Sequence, residues 1–182
     1  TNKFVYTIFA NGDLGVDCTL IKENENLPYL PRYGFLLNPN ENLFYKVEWD
    51  GFGPNENYSD YKEATKVGIY SKDIKDMFYE YVSPQENGER CGISYLSLSG
   101  KNGAKLSVYA KGDFFSFKVN DFIGKDLQNA RHITGLKRGE TLELAIDGYF
   151  SGVGSNSCGP ELPEDKRITD KVLQFGVYFR FE

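Results

Sequence analysis

Apolar residues in the first part of the chain recur at every second position. Residues 3–9 (KFVYTIF) are rich in β-branched and aromatic side chains, and residues 14–20 alternate Leu14, Val16, Cys18 and Leu20 against Gly15, Asp17 and Thr19. That period is the signature of a half-buried strand, whose successive side chains point to opposite faces. Between the two runs lies Ala10-Asn11-Gly12-Asp13. Asn-Gly favours a tight hairpin, because both central residues of a type I′ turn need positive φ. The same logic joins residues 93–98 to 104–110 through Gly100-Lys101-Asn102-Gly103. Further strands are expected over 30–37, 43–49, 114–119 and 142–146. Leu173, Phe175, Val177, Phe179 and Phe181 give the cleanest alternation of all.

Helical signals are few. Residues 71–77 could form a short helix with Ser71 as N-cap and Asp73 in its first turn, and residues 121–130 a second. Residues 50–65 and 83–92, dense in Gly, Pro and Asn, read as loops. So few helices cannot cover a parallel sheet. The expected fold is all-β, an antiparallel β-sandwich of roughly nine to eleven strands with one or two short helices.

Composition narrows the picture. The 182 residues contain no linker-like stretch, so one domain over 1–182 is expected. With 21 Lys and Arg against 26 Asp and Glu, interleaved for a net charge of −5, there is no basic face for nucleic-acid phosphates or an anionic bilayer. No apolar run approaches the roughly 18 residues of a membrane span, and no charged-then-apolar leader is visible, so neither a membrane segment nor a signal peptide is expected. Met77 is the one methionine and strand grammar starts at Lys3, which favours an excised or processed piece of something larger. Cys18, Cys91 and Cys158 are few and widely spaced, which suits a reducing, cytoplasmic compartment better than a disulfide framework.

Several residues invite chemistry. Gly152-Val153-Gly154-Ser155-Asn156-Ser157-Cys158-Gly159 looks like a phosphate loop, but it lacks the dinucleotide spacing and a lysine, and opens no helix. Its glycines still permit close approach to a ligand or another chain. Asp50, Glu56, Asp60, Glu86 and Glu89 could supply a glycosidase's paired carboxylates, which sit about 5 Å or about 6.5–9.5 Å apart; equally, they could be solvated or capping groups. His132, the single histidine, could act as an acid or base, or sit after the second helix as a structural group. Cys158 has no neighbouring cation to activate its thiol. Trp49 with Tyr58, Tyr61, Tyr79 and Tyr81 could form a sugar-stacking platform, making the chain a carbohydrate-binding module, or could simply be core. Asn57-Tyr58-Ser59 is a formal glycosylation acceptor, read as coincidental.

Four segments carry a resemblance: Leu30 to Phe35 (LPRYGF), Trp49 to Asp60 (WDGFGPNENYSD), Tyr81 to Gly92 (YVSPQENGERCG) and Ile146 to Pro160 (IDGYFSGVGSNSCGP). In order and spacing they resemble the C-terminal domain, or small-chain region, of glycoside hydrolase family two β-galactosidases. The resemblance implies a galactose-mutarotase-like β-supersandwich, of which this chain would be the later part. It also implies a cytoplasmic parent enzyme that hydrolyses terminal β-D-galactosides such as lactose with retention, and that is expected to be a homo-oligomer. In that family both catalytic glutamates and the magnesium ligands belong to a (β/α)8 barrel earlier in the polypeptide. The resemblance therefore assigns no catalytic residue and no metal ligand to this chain, which alone would be inactive. It implies packing on the barrel and a loop lent to the sugar-site rim, comprising Asn156, Ser157, Cys158 and Gly159. Cys158 stands where the best-known relatives have a sugar-stacking Trp, a change that removes the stacking face.

Overall fold

The computed structural model describes residues 1–24, 28–122, 124–136, 139, 141–154 and 161–182. Among these residues, eleven strands form two antiparallel sheets. The larger contains β1 (Asn2–Ile8), β2 (Leu14–Ile21), β4 (Phe44–Gly53), β5 (Lys66–Asp73), β7 (Tyr95–Gly100), β8 (Lys105–Ala110) and β11 (Val172–Phe181), in the order β1-β2-β11-β8-β7-β4-β5. The smaller contains β3 (Arg32–Leu37), β6 (Arg90–Ile93), β9 (Phe115–Asn120) and β10 (Glu143–Phe150), in the order β3-β10-β9-β6. The all-β sandwich is thus as the alternation predicts.

The core lies between the sheets. Strand pairing places Val16, Val177, Phe179, Val108, Leu96, Leu98, Val47 and Trp49 on the inner face of the larger sheet, opposite Leu144, Ile146, Phe117 and Val119. Trp49 meets Phe117 edge-on across the gap, with ring centroids 5.7 Å apart. An edge-to-face pair of this kind adds to the stabilisation from burial alone.

The two Asn-Gly turns differ. At Asn102-Gly103 both residues take positive φ, 59° and 80°, and the Ala104 N–H donates to the Lys101 carbonyl at 3.2 Å, so a type I′ turn forms as expected. At Asn11-Gly12 only Gly12 is left-handed, with φ of 88°. There the Gly12 N–H donates to the Phe9 carbonyl, and the Phe9 N–H to the Asp13 carbonyl, both at 2.9 Å, which closes a three-residue loop with a glycine bulge. Asn11 instead uses its side chain, accepting from the Asp13 N–H at 3.2 Å.

Four segments depart from the sequence reading. Residues 66–73 form β5, and Ser71 sits in the strand opposite Glu48 rather than capping a helix; only a 3₁₀ turn at Ile74–Asp76 remains. Eight residues pairing with β4 outweigh one local capping signal, as tertiary context commonly does. Residues 90–93 form β6, not loop, while the strand over 43–49 runs on to Gly53. The second helix shortens to α1 (Gly124–Asn129).

Candidate functional site

The four family-like segments, far apart in sequence, lock together at one end of the smaller sheet. The loop that follows β4 enters first. Glu56 is buried and accepts from the Gly88 N–H at 2.7 Å and from the Tyr81 hydroxyl. That hydrogen bond, with burial, raises the Tyr81 pKa. Asn57, fully buried, donates through its side chain to the Asn55 carbonyl at 3.1 Å and accepts from the Cys91 N–H at 2.9 Å. Its own N–H donates to the Glu89 carbonyl at 2.8 Å. A glycan on so enclosed an amide would displace these partners, so the fold has no room for one at Asn57. Asn87 repeats the pattern, bonding the Gln85 carbonyl and the Tyr79 N–H. Each Glu-Asn pair thus supplies side-chain groups where irregular backbone must find partners.

Arg90, in the segment Tyr81 to Gly92, is fully buried. Its guanidinium lies over the Trp49 and Tyr79 rings, 5.5 and 5.8 Å from their centroids, and donates to the Gly88 carbonyl. Burial lowers its pKa. A guanidinium between two aromatic faces replaces part of its lost hydration with the rings' negative quadrupole. Trp49 is therefore filled on both sides, at 0% exposure, with its indole N–H donating to the Phe52 carbonyl at 3.0 Å. It is core, not a sugar platform, and Tyr58 is also buried; of the proposed platform Tyr61 and Tyr81 are exposed.

Beneath these loops sits a charge cluster. Arg32 of β3 makes a two-pronged contact with Asp147 of β10, with Nε 3.2 Å from Oδ1 and Nη2 against Oδ2. It also approaches Glu86 at 3.7 Å and Glu89 at 3.6 Å. Lys118 of β9 holds both Glu86 oxygens, at 2.9 and 2.8 Å. Burial raises the Glu89 pKa well above its ordinary value, and repulsion from Asp147 adds to this, against the pull of Arg32 and Lys118. Asp147 is raised by burial too, less strongly, since Arg32 opposes it directly. Three acids face two bases, so a proton on Glu89 leaves the cluster balanced.

The cluster supports the stem of the glycine-rich segment. Arg32 lies over the Phe150 ring, 5.0 Å from its centroid, and Tyr58 packs against the same ring. Ser151 then pins the chain: its hydroxyl donates to the Leu30 carbonyl at 2.6 Å and accepts from the Ile168 N–H at 3.0 Å. The Gly152 N–H donates to the Lys166 carbonyl at 3.0 Å. Asp60 takes the next two amides, Val153 N–H at 3.1 Å and Gly154 N–H at 2.8 Å. On the far side Arg167 donates to the Leu162 carbonyl at 2.6 Å and pairs with Glu161 at 3.0 Å. Asn156, Ser157, Cys158 and Gly159 lie outside the described residues, between these two anchors.

The candidate carboxylates are all engaged, with a hydroxyl, backbone or cations. Asp50 accepts from the Ser94 hydroxyl at 2.8 Å, Glu56 and Asp60 bind backbone amides, and Glu86 and Glu89 belong to the charge cluster. His132 is exposed, ahead of a 3₁₀ turn rather than at the end of α1. Burial pushes the Cys91 thiol up to about 12, with the Glu89 charge adding to it, which leaves it protonated and unreactive at neutral pH. No three His, Cys, Asp or Glu side chains converge as a metal site among the described residues. No helix among them is long and apolar enough to cross a membrane.

The anchoring role of Asp60 was not legible in sequence, where it is one loop acid among five. Its only signal is the company it keeps, in one of the four segments that converge here. Comparison with known families decides what that convergence means. The model described as beta galactosidase small chain matches residues 1–179. The chain belongs to this family. Among curated β-galactosidases, this small-chain family member is 37% identical over 178 residues to that of Actinobacillus pleuropneumoniae, covering 96% of the chain and 17% of the relative. It is 35% identical over 179 residues to that of Kluyveromyces lactis, covering 97% and 17%, and 31% identical over 171 residues to that of Staphylococcus xylosus, covering 94% and 17%. The small-chain sequence thus spans about a sixth of the length of the β-galactosidases it matches.

Proposed function

We propose that this chain is a non-catalytic part of a cytoplasmic β-galactosidase that hydrolyses terminal β-D-galactosides such as lactose. In this reading residues 1–182 pack on a catalytic (β/α)8 barrel of the same enzyme, which supplies the acid, the nucleophile and the magnesium. The chain lends residues 155–160 to the rim of the galactoside site, with Asn156, Ser157, Cys158 and Gly159 facing the sugar. The observation that supports it best is the anchored flank: Asp60 and Ser151 tie residues 151–154 to the sandwich, and Arg167 binds Glu161 and the Leu162 carbonyl just beyond residue 160.

An independent carbohydrate-binding module is the weaker reading, because its principal stacking residue, Trp49, is enclosed. Purified chain, shown to be folded by circular dichroism, should not hydrolyse a nitrophenyl galactoside, whereas the complete polypeptide should. Calorimetric titration of the chain with galactose or lactose should show very weak binding. Turnover that stays with the chain through successive purification steps would defeat this reading, and tight sugar binding would favour the module.

A further inference from the structure

The outer face of the larger sheet carries a cleft that involves none of the four family-like segments. Strand pairing sets Tyr178 of β11 beside Gly15 of β2 on that face, while its chain neighbours Val177 and Phe179 point into the core. Gly15 leaves room for aromatic rings to lie close to the sheet: a Cβ there would stand 3.2 Å from the Phe9 ring and 3.4 Å from that of Tyr178. Phe9, in the β1–β2 loop, meets Tyr178 edge-on with ring centroids 5.8 Å apart and remains 40% exposed.

The two rings wall an open cleft of about 480 Å³, completed by Ala10, Asn11 and Asp13, a volume ordinary for small-molecule sites. Its polar side carries no unmatched charge. Asp13 accepts from Arg180 Nε and Nη2, both at 2.8 Å, and from the Asn11 amide at 2.9 Å. Lys111, 5.3 Å from the Tyr178 centroid, is paired with Asp17 at 2.7 Å. An ionic ligand would have to break one of these pairs. Neutral hydroxyls can add to them instead, because carboxylate and amide oxygens accept more than one bond and Arg180 Nη1 is not used by Asp13. The cleft therefore suits a ligand with one C–H face for the rings and hydroxyls around its edge, which is the form of a pyranose.

We propose that this cleft binds a neutral pyranose, stacked on Phe9 and Tyr178 with its hydroxyls against Asn11, Asp13 and Arg180. The assignment goes beyond the rim role of residues 155–160 and uses none of them. A single sugar ring in an open, hydrated cleft makes few contacts, so its dissociation constant should be about 1 mM. That is the very weak sugar binding expected of the chain above.

The test uses the complete polypeptide carrying Ala10→Cys, which puts a thiol on the cleft wall. Its alkylation by iodoacetamide is followed by mass spectrometry of the peptide that contains it, with galactose as the probe. Galactose at about 20 mM should slow alkylation about tenfold or more, with half the effect near 1 mM. Adding Phe9→Ala to the same protein should abolish the protection. Asn11→Ala, which keeps both rings, should weaken it several-fold and serves if the Phe9 variant does not fold. Unslowed alkylation in galactose, equal protection by glycerol, protection that survives both variants, or a thiol that does not react even without sugar would each overturn the proposal. The readout does not depend on galactoside hydrolysis, so failure of the enzymatic reading would be seen separately.

Discussion

Gly152 lies directly against the Asp60 carboxylate, so close that a Cβ on Gly152 would collide with it. The carboxylate uses that proximity to accept the two following backbone N–H groups. Asp60→Ala should release the stem and cost about 1.5–3 kcal/mol, the range for hydrogen bonds to a charged group. Gly152→Ala should be destabilising too, because the carboxylate must move and give up those bonds. Urea unfolding of both variants and of the double variant checks this. The double should be less destabilised than the sum of the singles, since both remove one interaction.

Glu89 predicts a pH effect with a definite sign. Burial raises its pKa in the folded state above the ordinary value of 4.5. Between those two pKa values the folded chain binds more protons than the unfolded one, so this group's contribution is full at acid pH and is lost as pH rises through the folded pKa. Glu89→Gln keeps the shape and removes the titration. The variant should gain stability relative to the parent as pH rises from 5 to 8, and the difference should shrink towards pH 4. Denaturation midpoints across that range give the answer, and a parent that gains on the variant as pH rises would contradict this account of the cluster.

Trp49 separates core from platform. Trp49→Ala should cost about 3–5 kcal/mol, the range for emptying a large aromatic site, because it also strips one face from Arg90. Tyr61→Ala, at an exposed position, should stay within about 0.5 kcal/mol of the parent. Thermal unfolding would show the contrast.

The two Asn-Gly turns also make unequal demands. Asn102→Ala places an alanine in the left-handed region and should cost about 1–2 kcal/mol. Asn11 does not adopt positive φ, so Asn11→Ala should lose only its link to Asp13, about 0.5–1.5 kcal/mol. Chemical denaturation of the two variants side by side measures the difference.

These contrasts show which features a sequence exposes. Alternation identified most strands because one face of each is buried, and that requirement is local. It failed at 66–73, where Val67 and Ile69 point outward and are exposed while the other face carries Gly68, Tyr70 and Lys72; pairing with β4 creates the strand. The Asn-Gly string located both turns but not their type, which the loop length between strands decides. At the site, the residue types were visible but their roles were not. Asp60, Glu56 and Glu89 look alike in sequence, and only partners brought from elsewhere in the chain make one an anchor, one a loop tie and one a buried acid among cations.

The account's central claim, that residues 155–160 border a galactoside site whose reacting groups lie elsewhere, is tested most directly by steady-state kinetics of the complete polypeptide with this loop replaced by a glycine-serine segment of equal length. The predicted result is a KM for a nitrophenyl galactoside raised about tenfold, equivalent to about 1.4 kcal/mol of lost binding, with kcat changed far less. Unchanged KM and kcat would contradict a place on the rim, and a collapse of kcat with KM preserved would put a reacting group on the loop itself.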